Sequence, residues 1–242
     1  MKMMKAGLLC LVMCAFAAPS AQAQMTWTDK GFLNLSGGVQ TGSHTLATAT
    51  TFPLYDEVAT VGSTQDISGG GFFDVSAGYK VWGNVALGAG YSWTSSKADA
   101  ALTGSIPSPV FFDQPRPITS SASDLNHSEN AFHLMAVYMV PVTDKFDVAL
   151  SAGPTIFQVS QDFPGALSIT EPGPSVSGAD LTQIKKTTIG FNLGLDLTYL
   201  VTKKIGVGGL ARYTKGSADL DGASEKLTVG GFQIGGGVRI RF

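Results

Sequence analysis

From Ile189 to Tyr199 every second residue is apolar (Ile189, Phe191, Leu193, Leu195, Leu197, Tyr199), and every residue between is small or polar (Gly190, Asn192, Gly194, Asp196, Thr198). Successive side chains of a strand point to opposite faces, so a period of two predicts a strand with one greasy and one polar face. Seven other runs repeat the pattern, at about 31–43, 70–81, 85–94, 129–142, 147–156, 205–214 and 232–242. In the run at 85–94, Val85, Leu87, Ala89, Tyr91 and Trp93 oppose Ala86, Gly88, Gly90, Ser92 and Thr94. The run at 129–142 is apolar on both parities; turning His133 inward places Phe132, Leu134, Ala136, Tyr138 and Val140 outward.

The connections alternate as well. Residues 82–84, 141–145 and 201–204 are short turns, whereas 44–69, 95–128, 158–186 and 215–225 read as long loops. Strands running up and down between the two ends would place Tyr79, Trp82, Tyr138, Tyr199 and Phe242 near the short turns. Phe73, Trp93, Phe132, Phe191 and Tyr213 would then lie toward the long loops. Two aromatic bands, long loops at one end and an even number of strands describe a transmembrane barrel. A soluble sandwich or lipocalin-like barrel also alternates, but its solvent face would be rich in Lys and Glu rather than Gly, Ser, Thr and Asn. The predicted fold class is all-β, an eight-stranded antiparallel up-and-down transmembrane β-barrel located in the cell outer membrane.

The front of the chain fits export. Lys2 and Lys5 precede an apolar run from Ala6 to Ala18 and a small-residue site at Ala21, Gln22 and Ala23, so residues 1–23 are expected to be a cleaved signal peptide and 24–242 the barrel domain. Met13 before Cys14 is a poor lipidation site. Both cysteines, Cys10 and Cys14, lie in that segment, which excludes a disulfide scaffold. Without Lys2 and Lys5 the balance is 14 basic against 18 acidic residues, which argues against a nucleic-acid surface. No later run approaches the length of a spanning helix.

With its alternating C-terminal strand ending in "GGGVRIRF", the chain resembles the small eight-stranded outer-membrane proteins, the OmpA transmembrane domain and OmpX. The resemblance implies that Phe242 belongs to a signal read by the barrel-assembly machinery. Because the chain stops at the last strand, the cell-wall-binding domain of full-length OmpA is not expected.

An eight-stranded barrel is just wide enough for side chains to fill it. The inward set includes Asp74, Asp196, Arg212 and Arg239, and charges in such a space need partners. Asp196 and Arg239 fall at similar heights, so one shared lumenal network is predicted, acting as a plug; a narrow solute path is the alternative. In "SIPSPVFFDQPRPIT", four prolines stiffen the longest loop, and Phe111, Phe112 and Ile118 are candidate contacts, either folded over the barrel mouth or offered to a partner. His127 and Ser128 are neighbours that an extended chain turns to opposite sides, which disfavours a catalytic dyad. "DLDGASE" at 219–225 is too short for a calcium loop. No metal site, cofactor or catalytic residue is expected. The expected role is non-enzymatic: envelope integrity or surface interaction by a monomer. Its expected partners are outer-membrane lipid, lipopolysaccharide, the assembly machinery and an unspecified extracellular molecule. A lipid-modifying enzyme is the remote alternative.

Overall fold

A computed structural model describes residues 26–172, 174–220 and 226–242. The expected signal peptide, and residues 221–225 of the "DLDGASE" segment, lie outside the described residues. The described residues form ten strands: β1 (Gly31–Thr41), β2 (Ser43–Leu54), β3 (Glu57–Ser68), β4 (Gly71–Trp82), β5 (Val85–Ile106), β6 (Arg116–Pro141), β7 (Phe146–Thr170), β8 (Ser175–Leu200), β9 (Ile205–Ala218) and β10 (Leu227–Arg241). All their ladders are antiparallel.

Eight of these strands close on themselves, each paired to the next in the order β1, β4, β5, β6, β7, β8, β9, β10 and back to β1. The seam between β1 and β10 pairs Phe32 with Arg241 and runs up to Thr41 with Phe232. Phe242 extends it: its carbonyl accepts from the backbone N–H groups of Lys30 and Gly31 at 2.6 and 2.8 Å, and its own N–H donates to the Gly31 carbonyl at 3.1 Å. Small residues let the two chains approach this closely, since a Cβ at Gly237 would overlap the Leu35 carbonyl.

The stretches 44–69, 95–128 and 158–186, which read as loops in the sequence, are largely strand. β2 and β3 form a hairpin above β1 and β4, and β3 pairs with upper β5 from Ile67–Ala98 to Thr60–Ser105. The β5–β6 ladder continues from Val85–Tyr138 to Ile106–Arg116, and the β7–β8 ladder from Phe146–Tyr199 to Thr170–Ser175. In contrast, β6–β7 pairing ends at His127–Gln161 and β8–β9 pairing at Gly190–Gly216. Above those points the hairpins leave the ring and pack together as a head.

On β5 the chemistry of the two faces inverts between ring and head without any change of parity, whereas on β6 a bulge opposite Asp99 moves the inward set from odd- to even-numbered residues. On β5 the outward residues are Leu87, Ala89, Tyr91 and Trp93 in the ring, then Lys97, Asp99, Thr103 and Ser105 in the head. The inward residues are Ser92 and Thr94, then Ala98, Ala100, Leu102 and Ile106, all buried. The head therefore has a conventional apolar core, joining Leu46, Phe52, Val61, Ile67, Leu125 and Phe163, among others. Burying a side chain of this size stabilises by about 1.5–3 kcal/mol relative to leaving it exposed. The ring carries the opposite arrangement: Leu87, Leu134, Ile189 and Leu193 on its outside are each 59–74% exposed, a surface that water would penalise and hydrocarbon would not.

The outward apolar band is bounded by aromatic side chains at both ends. Phe73, Trp93, Phe132, Phe191, Tyr213 and Phe232 rim it below the head, with Tyr91 and Phe132 rings 5.0 Å apart. Tyr79, Trp82, Tyr138, Tyr199 and Phe242 rim it at the short turns. β6 has the predicted phase, with Phe132, Leu134, Ala136, Tyr138 and Val140 outward and His133 buried inside.

Candidate functional site

The ring interior is a stack of charged and polar layers, each built by side chains of matching parity on facing strands. At the short-turn end, the Arg241 guanidinium donates to Asn34 Oδ1 at 3.0 Å, Asp147 Oδ1 at 3.0 Å and Thr198 Oγ1 at 2.7 Å. It also lies over the Phe32 ring, 5.7 Å from its centroid. The next layer pairs Arg239 with Asp196 through Nε to Oδ1 at 2.9 Å and Nη2 to Oδ2 at 2.6 Å, while Nη1 donates to Ser36 Oγ at 3.0 Å. Above it Arg212 donates to Asp74 Oδ2 at 2.5 Å and to Gln233 Oε1 at 2.8 Å.

The upper layers are held by hydrogen bonds around two histidines. His133 lies between Ser92 Oγ at 3.0 Å and Thr155 Oγ1 at 2.9 Å, and Asn192 Nδ2 donates to the same Thr155 oxygen. Glu129 then accepts from Gln40 Nε2 at 3.0 Å and from the Gly230 backbone N–H at 3.1 Å, with His127 Nε2 at 3.2 Å. His127 Nδ1 meets Gln161 Oε1 at 2.7 Å, and Gln161 donates to Gln65 at 2.8 Å, immediately beneath the apolar core of the head.

The structure brings Asp196 and Arg239 into contact. The other two predicted lumenal charges, Asp74 and Arg212, form a second pair in the layer above. Sequence reasoning missed the third pair, Arg241–Asp147, although Arg241 shares the parity of Arg239. It also missed Glu129, whose head-side position placed it at the edge of a run. Between these layers a cavity of about 30 Å³ remains, lined by Phe32, Met135, Met139, Asp196, Arg212 and Arg241 among others. A cavity of that size has room for water.

The loop candidates separate. Phe111 and Phe112 stand 59% and 73% exposed at the tip between β5 and β6, beside Val110. Ile118 is buried in the head core, because it lies on β6 with inward parity rather than in a loop. Three hairpin tips are tied beneath them: Arg116 donates to both Glu171 oxygens at 3.0 and 2.6 Å, and Tyr55 Oη donates to Glu171 Oε1 at 3.1 Å. The Arg116 hydrogen bonds hold the Glu171 carboxyl below the usual glutamate range. His127 is buried inside and Ser128 lines the outer wall, so the neighbours face apart. Among the described residues no group of His, Cys, Asp and Glu is arranged to hold a metal ion.

Residues 7–242 match the family described as outer membrane protein beta-barrel domain. The chain belongs to that family. No curated protein matches the sequence. Among solved structures, the outer membrane protease OmpT from Escherichia coli is 12% identical with a TM-score of 0.51, covering 92% of this chain and 100% of that one. Neisserial surface protein A is 16% identical with a TM-score of 0.43, covering 88% and 97%. Ail of Yersinia pestis, solved in complex with the heparin analogue sucrose octasulfate, is 10% identical with a TM-score of 0.37, covering 87% and 99%. The OmpT likeness is one of fold alone. As a member of this family the protein resides in the cell outer membrane, with the apolar band of the ring in the bilayer. The short turns of such barrels face the periplasm and the long connections the exterior, which puts the head outside the cell.

Proposed function

We propose that the protein is a closed, non-enzymatic barrel that serves envelope integrity or surface interaction through its head. The single observation that carries this reading is the filled lumen, in which Arg212, Arg239 and Arg241 are each ion-paired and at most 2% exposed. Freeing a solute path would mean breaking paired, desolvated charges, each at a cost of several kcal/mol. The non-enzymatic part is supported by the opposed directions of His127 and Ser128 and by the structural hydrogen bonds that occupy His127 and His133.

The partners in this reading are outer-membrane lipid and lipopolysaccharide around the ring, the assembly machinery at the Phe242 strand, and an extracellular molecule at the Phe111 and Phe112 tip. The working unit is a monomer exported on a signal peptide spanning residues 1–23. Planar-bilayer recording of the refolded barrel tests the central element. Silence is the expected result; discrete conductance steps that change on Arg212→Ala or Arg239→Ala would replace this reading by a narrow channel.

A further inference from the structure

Where β6, β7 and β8 run side by side, the outer wall changes character within one row. Phe132, Ile156 and Ile189 are register partners and form the last lipid-facing row. Asn130, Gln158 and Thr187 are partners in the next row, and Ser128, Ser160 and Lys185 in the one above it. Each row is two residues, ~7 Å along the strand, from the last. The two polar rows, with Lys186, line a hollow of about 510 Å³ that no carboxylate borders.

This lining sets hydrogen-bonding groups around the ammonium groups of Lys185 and Lys186, at the height where the headgroups of the outer leaflet begin. A phosphate supplies the charge and the acceptor oxygens that Lys185 and the Gln158 and Asn130 amides can engage. The hydroxyls of Ser128, Ser160 and Thr187 and the remaining amide groups suit sugar hydroxyls, and the space exceeds that of one phosphate. Acyl chains descending from such a headgroup would lie along Phe132, Ile156 and Ile189. We infer that this hollow binds the phosphorylated sugar headgroup of an outer-leaflet lipid.

The inference rests on the lipid-partner element of the proposed function and gives it a place and a chemistry. Its test uses the refolded barrel in neutral detergent micelles, with bisphosphorylated lipid A, fully dephosphorylated lipid A and inorganic phosphate as probes and retained lipid read by native mass spectrometry. The phosphorylated lipid is expected to bind at least roughly tenfold more tightly than the dephosphorylated one, a ratio corresponding to the loss of one charge-assisted interaction. Lys185→Glu should abolish that preference, and Lys97→Glu, which makes the same charge change outside the hollow, should keep it. Unboiled gel migration confirms that both variants are folded.

A Lys185→Glu barrel that still prefers the phosphorylated lipid overturns the site. Displacement of the lipid by equimolar inorganic phosphate overturns the lipid as its occupant. Equal binding of both lipids overturns the phosphate site but leaves the lipid-partner element standing. Binding of neither overturns both.

Discussion

Arg239 and Asp196 meet through two parallel hydrogen bonds, at 2.9 and 2.6 Å, on adjoining regions of a ring interior where the arginine is wholly buried. Bidentate pairing of this kind fixes geometry as well as charge. Removing one partner strands the other in a low-dielectric space, whereas removing both does not. Asp196→Ala should therefore lower the unfolding free energy by about 3 kcal/mol or more, and Asp196→Ala with Arg239→Ala should recover part of that loss. Urea titration of the refolded barrel in lipid vesicles measures the cycle; strictly additive losses would show that the pair is not coupled.

The seam gives Phe242 a role that the pattern of strand β10 alone does not show. Its main-chain groups make three hydrogen bonds across the closure, to Lys30 and Gly31, and its ring packs beside Gly31. Deleting Phe242 removes the last rung and should reduce the fraction of protein that migrates as folded barrel without boiling. Secretion across the inner membrane should continue. Normal amounts of heat-modifiable barrel in the deletion strain would count against this account.

At the outer tip, Glu171 bridges Arg116 and Tyr55, and its carboxyl is held below the ordinary range chiefly by the Arg116 hydrogen bonds. A carboxylate with a lowered folded-state pKa contributes stability above its unfolded value, about 4.3, and that contribution is lost as pH falls through the folded value. The tip should thus be tethered at neutral pH and loosen only below about pH 4. A spin label on Val110→Cys reports it, since the native cysteines are Cys10 and Cys14, both in the segment expected to be removed. Label mobility should rise on acidification, and Glu171→Gln should make it independent of pH over that interval.

The ring was legible because its outward positions are apolar along an unbroken parity, as in Ile189 to Tyr199 and Val85 to Trp93. Even β6, apolar on both faces, could be phased from the one residue, His133, that hydrocarbon would not tolerate. The head was not legible for a physical reason. At Ser95 to Lys97 the outward chemistry passes from apolar to polar while the inward chemistry does the reverse, so the alternation cancels across the boundary and looks like irregular chain. Ile118 was misplaced for a second reason: a bulge at residues 123–124 shifts β6 by one residue, so that even-numbered positions turn inward in the head. Arg241 was given no partner. Its partner Asp147 begins β7, and only the three-dimensional closure of β10 on β1 carries the two together.

The β5–β6 ladder, continuous but for one bulge opposite Asp99, makes the head a mast rather than a set of tethered ropes. From Ser95 to Ile106 the chain climbs ~36 Å along the strand, or on the order of 28 Å in height if it keeps a barrel tilt of about 40°. Val110, Phe111 and Phe112 are therefore carried well clear of the lipid surface on a rigid shaft. A molecule seizing that tip would pull directly on hydrogen-bonded strands anchored in the bilayer, so load applied outside the cell would pass into the wall of the ring with little slack between.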